Sequence, residues 1–318
     1  MTRARHVAMA GGAEFDAIRA LLAMWGERAV GIGDDAAVID VPMGELMVVS
    51  TDASVENVHF RRDWMSPEEI GARATAAALS DLAAMAATPR GLLVALGLPA
   101  GWRAALPRLA SGVGAAAAAA ECTIVGGNMS AASELSLTIT VIGSAIRPLS
   151  RAGAREGDII YVTGRLGGSG AALRAFQAGA TPRAEFRTRF VGPVPRITEA
   201  RWLEERGARA AIDISDGLVA DAAHVARASG VTIALDERDV PCIAGVASGD
   251  ALVSGEEYEL LVAMPPSFAV SSKEFERQFG IPLTAIGVAE SVGDDPVTLR
   301  GVSRKASAGH DHLSPPRR

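Results

Sequence analysis

GIGDDAAVIDVPMGELMVVSTDASVENVHF, residues 31–60, decides how the chain is read. A glycine-rich turn leads into Asp34 and Asp35, an apolar segment follows over 36–41, and Pro42, Met43 and Gly44 turn the chain. Leu46 to Val49 then returns into Ser50, Thr51 and Asp52. Two apolar runs separated by a turn predict a β-hairpin, whose ends would bring Asp34 and Asp35 beside Ser50, Thr51 and Asp52. A single Asp-Asp pair is an ordinary solvated loop. Here, however, acids recur at other apolar segments: Asp81 within ALSDLAAM, a Gly126-Gly127-Asn128 turn, and Asp213, Ser215 and Asp216 within AIDISDGL. Carboxylates about 5 Å apart repel by roughly 3 kcal/mol at an effective dielectric of 20, so such a cluster calls for cations. Oxygen donors favour a hard ion such as Mg²⁺, which commonly shares its shell with substrate phosphates. The pattern predicts metal-assisted phosphoryl transfer.

The bulk of the chain narrows the class. At 318 residues and 49% hydrophobic it is long for one core, which favours two domains. The net charge is −6 with no basic run before the last few residues, so nucleic acid is not the expected partner. Cys122 and Cys242 are the only cysteines, both in apolar settings, which fits packing residues in a reducing cytoplasm. No segment offers a clean apolar span of about 20 residues, so no membrane insertion is expected.

Residues 14–25 place Phe15, Ile18, Leu21, Leu22 and Trp25 at helical spacing. Ser66-Pro67-Glu68-Glu69 is a capping box that starts a helix running to about Ala87. Asp81 lies in that helix among small and apolar neighbours, where an unpaired carboxylate costs several kcal/mol, so it is expected to point at a metal. Strands over 91–98 and 122–125 flank an alanine-rich helix over 102–121, and 134–142 alternates as another strand. Residues 147–157 read as a linker, giving domains 1–147 and 148–313 and a flexible tail, 314–318. A strand over 158–163 opens into GRLGGSG and a helix over 171–178; the turn lacks the Gly-Lys-Ser/Thr ending of a phosphate loop. A strand over 210–214 presents Asp213, Ser215 and Asp216 before a helix over 218–228, whose first amides suit an anion. Asp216 also suits a helix cap. A final strand is expected over 259–264.

GIGDDAAV, STDASVENVHF, ALSDLAAMAATPRG, VGGN, RAGAREGDIIYVTG, AIDISDGLVAD, SGEEYEL and GHDHL follow in order the pattern of the thiamine-monophosphate kinase family. That family is part of the superfamily of aminoimidazole-ribotide synthetase, selenophosphate synthetase and a hydrogenase maturation factor. The resemblance runs from Glu14 to Leu313. It implies an α+β fold of two dissimilar α/β domains, each a mostly antiparallel or mixed sheet packed with helices. It also implies ATP-dependent conversion of thiamine monophosphate to thiamine diphosphate with several Mg²⁺ ions, and leaves a monovalent cation open. A homodimer is implied, with ATP held largely by the N-terminal domain near the dimer interface and the second domain closing over substrate. Carried over residue by residue, the resemblance assigns Asp34, Ser50, Thr51, Asp52, Asp81, Asn128, Asp213 and Asp216 to metal, with Asp34, Asp81 and Asp213 as the acids serving catalysis. Gly127, Asn128, Arg151 and Ser215 go to ATP, and His59, Glu256 and His310 to substrate.

The chain departs from the family pattern at Ser254 and Glu257, where Gly and Asp are usual, at Asn128 in place of Asp, and at His310 in place of an aromatic such as Trp. Selenophosphate synthetase needs an early reactive cysteine or selenocysteine, and none precedes Cys122. The hydrogenase factor depends on a C-terminal cysteine, and this chain ends Pro-Pro-Arg-Arg. The ribotide synthetase has Glu after the Gly-Gly pair. A non-catalytic thiamine-phosphate or nucleotide binding protein remains the alternative from another class.

Overall fold

The expected hairpin does not form. The computed structural model describes His6 and residues 12–33, 35–268 and 272–301; Asp34 and the terminal motif with His310 lie outside the described residues. Residues 36–41 carry no strand, and Leu46 begins β1 (Leu46–Val55), whose partner is a strand far along the chain. The elements that follow are α2 (Pro67–Ala84), β2 (Thr88–Leu98), α3 (Leu106–Ala119), β3 (Ile124–Ala131), β4 (Ser136–Ala145), β5 (Ile159–Thr163), α4 (Gly168–Gln177), α5 (Ala184–Val191) and α6 (Ile197–Glu205). After these come β6 (Ala210–Asp213), α7 (Leu218–Ser229), β7 (Thr232–Asp236), α8 (Ser248–Ala251), β8 (Leu260–Met264), α9 (Ser272–Phe279), β9 (Leu283–Glu290) and β10 (Val297–Arg300); α1 (Ala13–Trp25) precedes them all. No helix of the described residues is long and apolar enough to cross a membrane. The chain divides into two units: 1–82, 87–148 and 191–197 in the first, and 83–86, 149–190 and 198–318 in the second.

In the first unit four strands run in the order β1-β4-β2-β3, antiparallel except for β2 with β3. The alternation of β4 selects its partners. Leu137, Ile139 and Val141 are fully buried, and the register sets Leu96, Val94 and Leu92 of β2 beside them. Burying that apolar face with a continuous ladder outweighs the local turn at Pro42, because 36–41 has no alternating face to offer β1. Helices α2 and α3 complete the core, with Leu79, Leu82, Leu109 and Val113 buried. The α2 cap forms as its sequence predicts: Ser66 N–H donates to Glu69 Oε2 at 2.8 Å and Glu69 N–H to Ser66 Oγ at 3.3 Å. The two helices approach closely enough that a Cβ on Gly112 would lie 1.9 Å from Glu68 O, and one on Gly71 2.1 Å from Leu109 O. Trp25 ties α1 to α3 by donating its indole N–H to Ala110 O at 2.9 Å.

The Gly126-Gly127-Asn128 turn is a second correction: these residues lie inside β3, paired with Leu93, Val94 and Ala95. Glycine is required there by close approach, since a Cβ at Gly127 would lie 2.1 Å from Val94 O.

The second unit is built on a six-stranded sheet, β10-β7-β9-β5-β8-β6, parallel only at β10 with β7. Ile160, Val162, Ile212, Ile233 and Leu261 of the sheet and Leu218, Ala222 and Val225 of α7 share one core. A separate aromatic group joins Tyr161 of β5 to Phe268, and Trp202 of α6 to Phe268, Phe275 and Phe279, with ring centroids 5.5 to 6.1 Å apart in edge-on arrangements. The expected linker is fastened to this unit: Gly153 and Ala154 N–H both donate to Ser229 Oγ at 3.1 Å. Cys122 is buried as expected and burial pushes its thiol up to about 12. Cys242, in the loop after β7, is only half-buried.

Candidate functional site

In the first unit, strand alternation sorts the expected ligands onto two faces. Ser50 and Asp52 register with Val141 and Ile139, so they share the helix-covered face with the β4 core residues. There Ser50 Oγ donates to Asp81 Oδ2 of α2 at 2.5 Å. Thr51 takes the opposite face, where its hydroxyl pairs with Thr140 Oγ1 at 3.1 Å, so its side chain stands apart from this group. His59 is half-buried in the turn after β1, with Nδ1 accepting from Val55 N–H at 3.1 Å.

The structure separates groups that the hairpin would have joined. Val30 N–H donates to Ile124 O at 3.0 Å, so the chain entering the Gly31–Asp35 loop runs along β3. β1 is the other edge strand, three strand spacings or roughly 14 Å away. Asp35 instead lines a cavity of about 400 Å³ with Gly126, Gly127 and Asn128. The rest of its wall is largely apolar, from Phe15, Leu22 and Trp25 of α1, Leu109 and Val113 of α3, and Val94 of β2.

In the second unit the expected site residues gather at one edge of the sheet. Strands β5 and β6 end there and the antiparallel β8 begins there, Asp213 pairing with Leu260. Asp213 is buried, while Ser215 and Asp216 are half-buried in the turn that opens α7. This turn is held by Asp221, one helical turn further on, whose Oδ2 accepts from the N–H groups of Ser215, Asp216 and Gly217 at 3.0 to 3.1 Å. Asp216, Asp221 and His224 each place a ligand-type atom within 4.8 Å of the others. Glu256 is half-buried, its N–H donating to Ser215 O at 2.7 Å. Arg151 is exposed, and its carbonyl accepts the Ser229 hydroxyl at 3.1 Å.

Sequence reasoning passed over Asp221 and over the cap of α4. The acid of AIDISDGLVAD that follows Asp216 by five residues falls inside α7, so the signal was an acid in a first helical turn. Glu257, 3% exposed, turns its carboxylate onto the glycine-rich turn: Oε1 accepts from Gly167 N–H at 2.9 Å and Ser169 N–H at 3.1 Å. Those amides serve a carboxylate of the chain itself. Burial raises the Glu257 carboxyl, opposed by the Ser254 hydroxyl, the Arg189 charge and these amides.

Burial, and then the charges of Asp216 and Asp213, push the Asp221 carboxyl up to about 8 against the pull of its backbone donors. Between the ordinary carboxylate range and about 8 the folded chain therefore holds a proton that the unfolded chain has released. Stability falls as pH rises through that window and levels off above it. Melting temperatures measured in a chelator from pH 5 to 9 should decline for the wild type and stay flatter for Asp221→Asn. Equal slopes would place the proton elsewhere.

Residues 33–145 match the family model of the AIR synthase related protein N-terminal domain, and residues 155–300 that of its C-terminal domain. Thiamine-monophosphate kinase of Mycobacterium tuberculosis (strain CDC 1551 / Oshkosh) is 36% identical over 247 residues, 74% of each chain. The crystal structure of thiamine-monophosphate kinase from Stenotrophomonas maltophilia K279a superposes with a TM-score of 0.80 at 32% identity, covering 91% of this chain and 97% of that one. AaThiL complexed with AMPPCP and TMP superposes with a TM-score of 0.76 at 30% identity, covering 94% and 96%.

Proposed function

This chain belongs to the thiamine-monophosphate kinase family, within the AIR synthase related proteins, and from that premise we propose that it transfers the γ-phosphoryl group of ATP directly to thiamine monophosphate. The observation that carries the reading is that both acid groups, Ser50, Asp52 and Asp81 in one unit and Asp213, Ser215 and Asp216 in the other, fall inside the matched segments. An oxygen of the acceptor phosphate attacks the γ-phosphorus in line, the new P–O bond forms as the β–γ bridging bond breaks, and ADP leaves with the electron pair. The acceptor is already ionised at neutral pH, so positioning matters more than a general base, in keeping with a site rich in aspartates.

The donors around Ser50 are all oxygen, two carboxylates and a hydroxyl, and those around Asp213 are carboxylates with the His224 imidazole beside Asp216 and Asp221; this oxygen-dominated set fits Mg²⁺. Bound there, Mg²⁺ supplies charge neutralisation on the phosphates. Ser50, Asp52 and Asp81 would hold Mg²⁺ in the first unit, with Asp34 as a further ligand, and Asp213 and Asp216 would hold it in the second. The cavity beside Gly127 and Asn128 has the size and apolar lining for the base of ATP, and Ser215 and Arg151 are proposed as further ATP contacts. His59 and Glu256 would contact thiamine monophosphate. The N-terminal unit is read as the nucleotide and dimerisation domain and the C-terminal unit as the substrate domain.

A homodimer fits the open face of the first sheet, where Met47 and Val49 are exposed by 60% and 56%, and a second copy would offset the separation of the Asp35 loop from Ser50 and Asp81. A molar mass of one chain by light scattering would contradict it. ATP as co-substrate and two unpaired cysteines favour the cytoplasm, which fractionation checks. The deciding assay is formation of ADP and thiamine diphosphate with MgATP; binding of both ligands without diphosphate would make the chain a binding protein.

Asn128 is exposed on β3 beside the same cavity as Asp35. Its amide oxygen can coordinate Mg²⁺ but brings no charge. Asn128→Asp should shift the Mg²⁺ activation midpoint down by roughly fivefold, the equivalent of ~1 kcal/mol. A midpoint that rises or stays would mean that the amide donates a hydrogen bond instead.

A further inference from the structure

Three connections meet at the acid-bearing edge of the second sheet, and one buried carboxylate links them. Glu257 Oε1 accepts from Gly167 N–H, from Ser169 N–H and, at 2.5 Å, from the Ser254 hydroxyl; Ser254 Oγ in turn accepts from Gly170 N–H at 2.9 Å. The start of α4 is thus fastened to the 254–258 loop. That loop is laced to the acid turn: Glu256 N–H donates to Ser215 O at 2.7 Å, and Glu257 and Tyr258 N–H donate to Ile214 O at 3.1 and 2.9 Å. The residues on either side of Glu257 are held in the left-handed region, Glu256 at φ 57° and Tyr258 at φ 52°. Such conformations are costly for non-glycine residues and persist only where surrounding contacts over-determine them. Glu257 Oε2 and Ser169 Oγ are buried without a partner among the described residues, a further cost that a purely structural cap could avoid.

We propose that Glu257 is a positioning residue: by capping α4 it holds the strained 254–258 loop against Ile214 and Ser215, and so sets the geometry of the Asp213–Asp216 turn and of Glu256. This rests on the reading of that turn as the metal-holding part of a kinase site. The proposal goes beyond stability because the contact runs through the backbone of the acid turn itself, so loss of the cap should loosen the carboxylates without removing any of them.

The test uses the full chain with Glu257→Gln, which keeps size and removes charge, and Ser254→Ala, which removes one donor. Mn²⁺ binding to the ligand-free protein is followed by electron paramagnetic resonance, alongside kcat at saturating Mg²⁺ and the melting temperature. Glu257→Gln is expected to weaken Mn²⁺ binding several-fold and to lower kcat by about tenfold or more, as small misplacements of reacting groups do. Ser254→Ala should move both in the same direction by less, and decides the matter if Glu257→Gln does not fold. If both measurements stay near wild type while only the melting temperature falls, Glu257 is a structural cap and the proposal is overturned. A wild-type chain that makes no thiamine diphosphate would instead sink the kinase reading, and the Mn²⁺ measurement would still judge this one.

Discussion

Asp213→Asn is expected to remove phosphoryl transfer and leave the chain folded. Asp213 is 5% exposed at the last position of β6, held by the ladder to Leu260, so an isosteric amide keeps the strand end in place. Its charge acts on its surroundings already, being among the causes that raise Asp221. Neutralising it relieves like-charge repulsion in the ligand-free protein and takes away a carboxylate that would face the polyphosphate. The loss should reach about a hundredfold or more in kcat/KM, some 2.7 kcal/mol, with the melting temperature unchanged or higher. The Asp221 carboxyl should also move back towards its ordinary range. Turnover within about threefold of wild type, roughly 0.65 kcal/mol, would show that Asp213 holds no essential ligand.

Gly112→Ala should be the most damaging single methyl in the first unit. Helix propensity alone favours the change by up to ~1 kcal/mol, and α3 is otherwise rich in alanine. The added Cβ, however, would lie 1.9 Å from Glu68 O and 2.8 Å from Ala72 N, backbone atoms of α2 that no rotamer change can move. The helices must part, and the sheet face they cover carries Ser50 and Asp52, while α2 itself carries Asp81. A cost above about 3 kcal/mol is expected, seen as a fall of roughly 10 °C in melting temperature. Gly249→Ala in α8 is the control, since the nearest atom to its Cβ is 3.7 Å away and the substitution should be neutral or mildly stabilising. A Gly112→Ala protein melting within about 2 °C of wild type would mean that α2 and α3 have freedom to separate.

Local chemistry was legible in the chain. The Ser66–Glu69 cap, the α1 spacing that brings Trp25 onto α3, and the strand leading to Asp213 each follow from side chains within a few residues of one another. An apolar run likewise marked 46–49 as a strand, and alternation marked 134–142. What it could not reveal was which strand β1 pairs with, because a ladder is chosen by the apolar face it buries, and the faces that match were β4 and β2 rather than 36–41. With that choice made by tertiary structure, Thr51 fell on the face away from Asp81, and the Asp35 loop went to the far edge with Asn128. The same holds for Glu257: nothing in SGEEYEL says that its carboxylate reaches back to Gly167 and Ser169, since a buried acid declares its partner only when two distant segments are packed together. Gly112 reads as a weak point of a helix in sequence and as the contact that lets two helices meet in the fold, because propensity is a property of one segment and close approach a property of two.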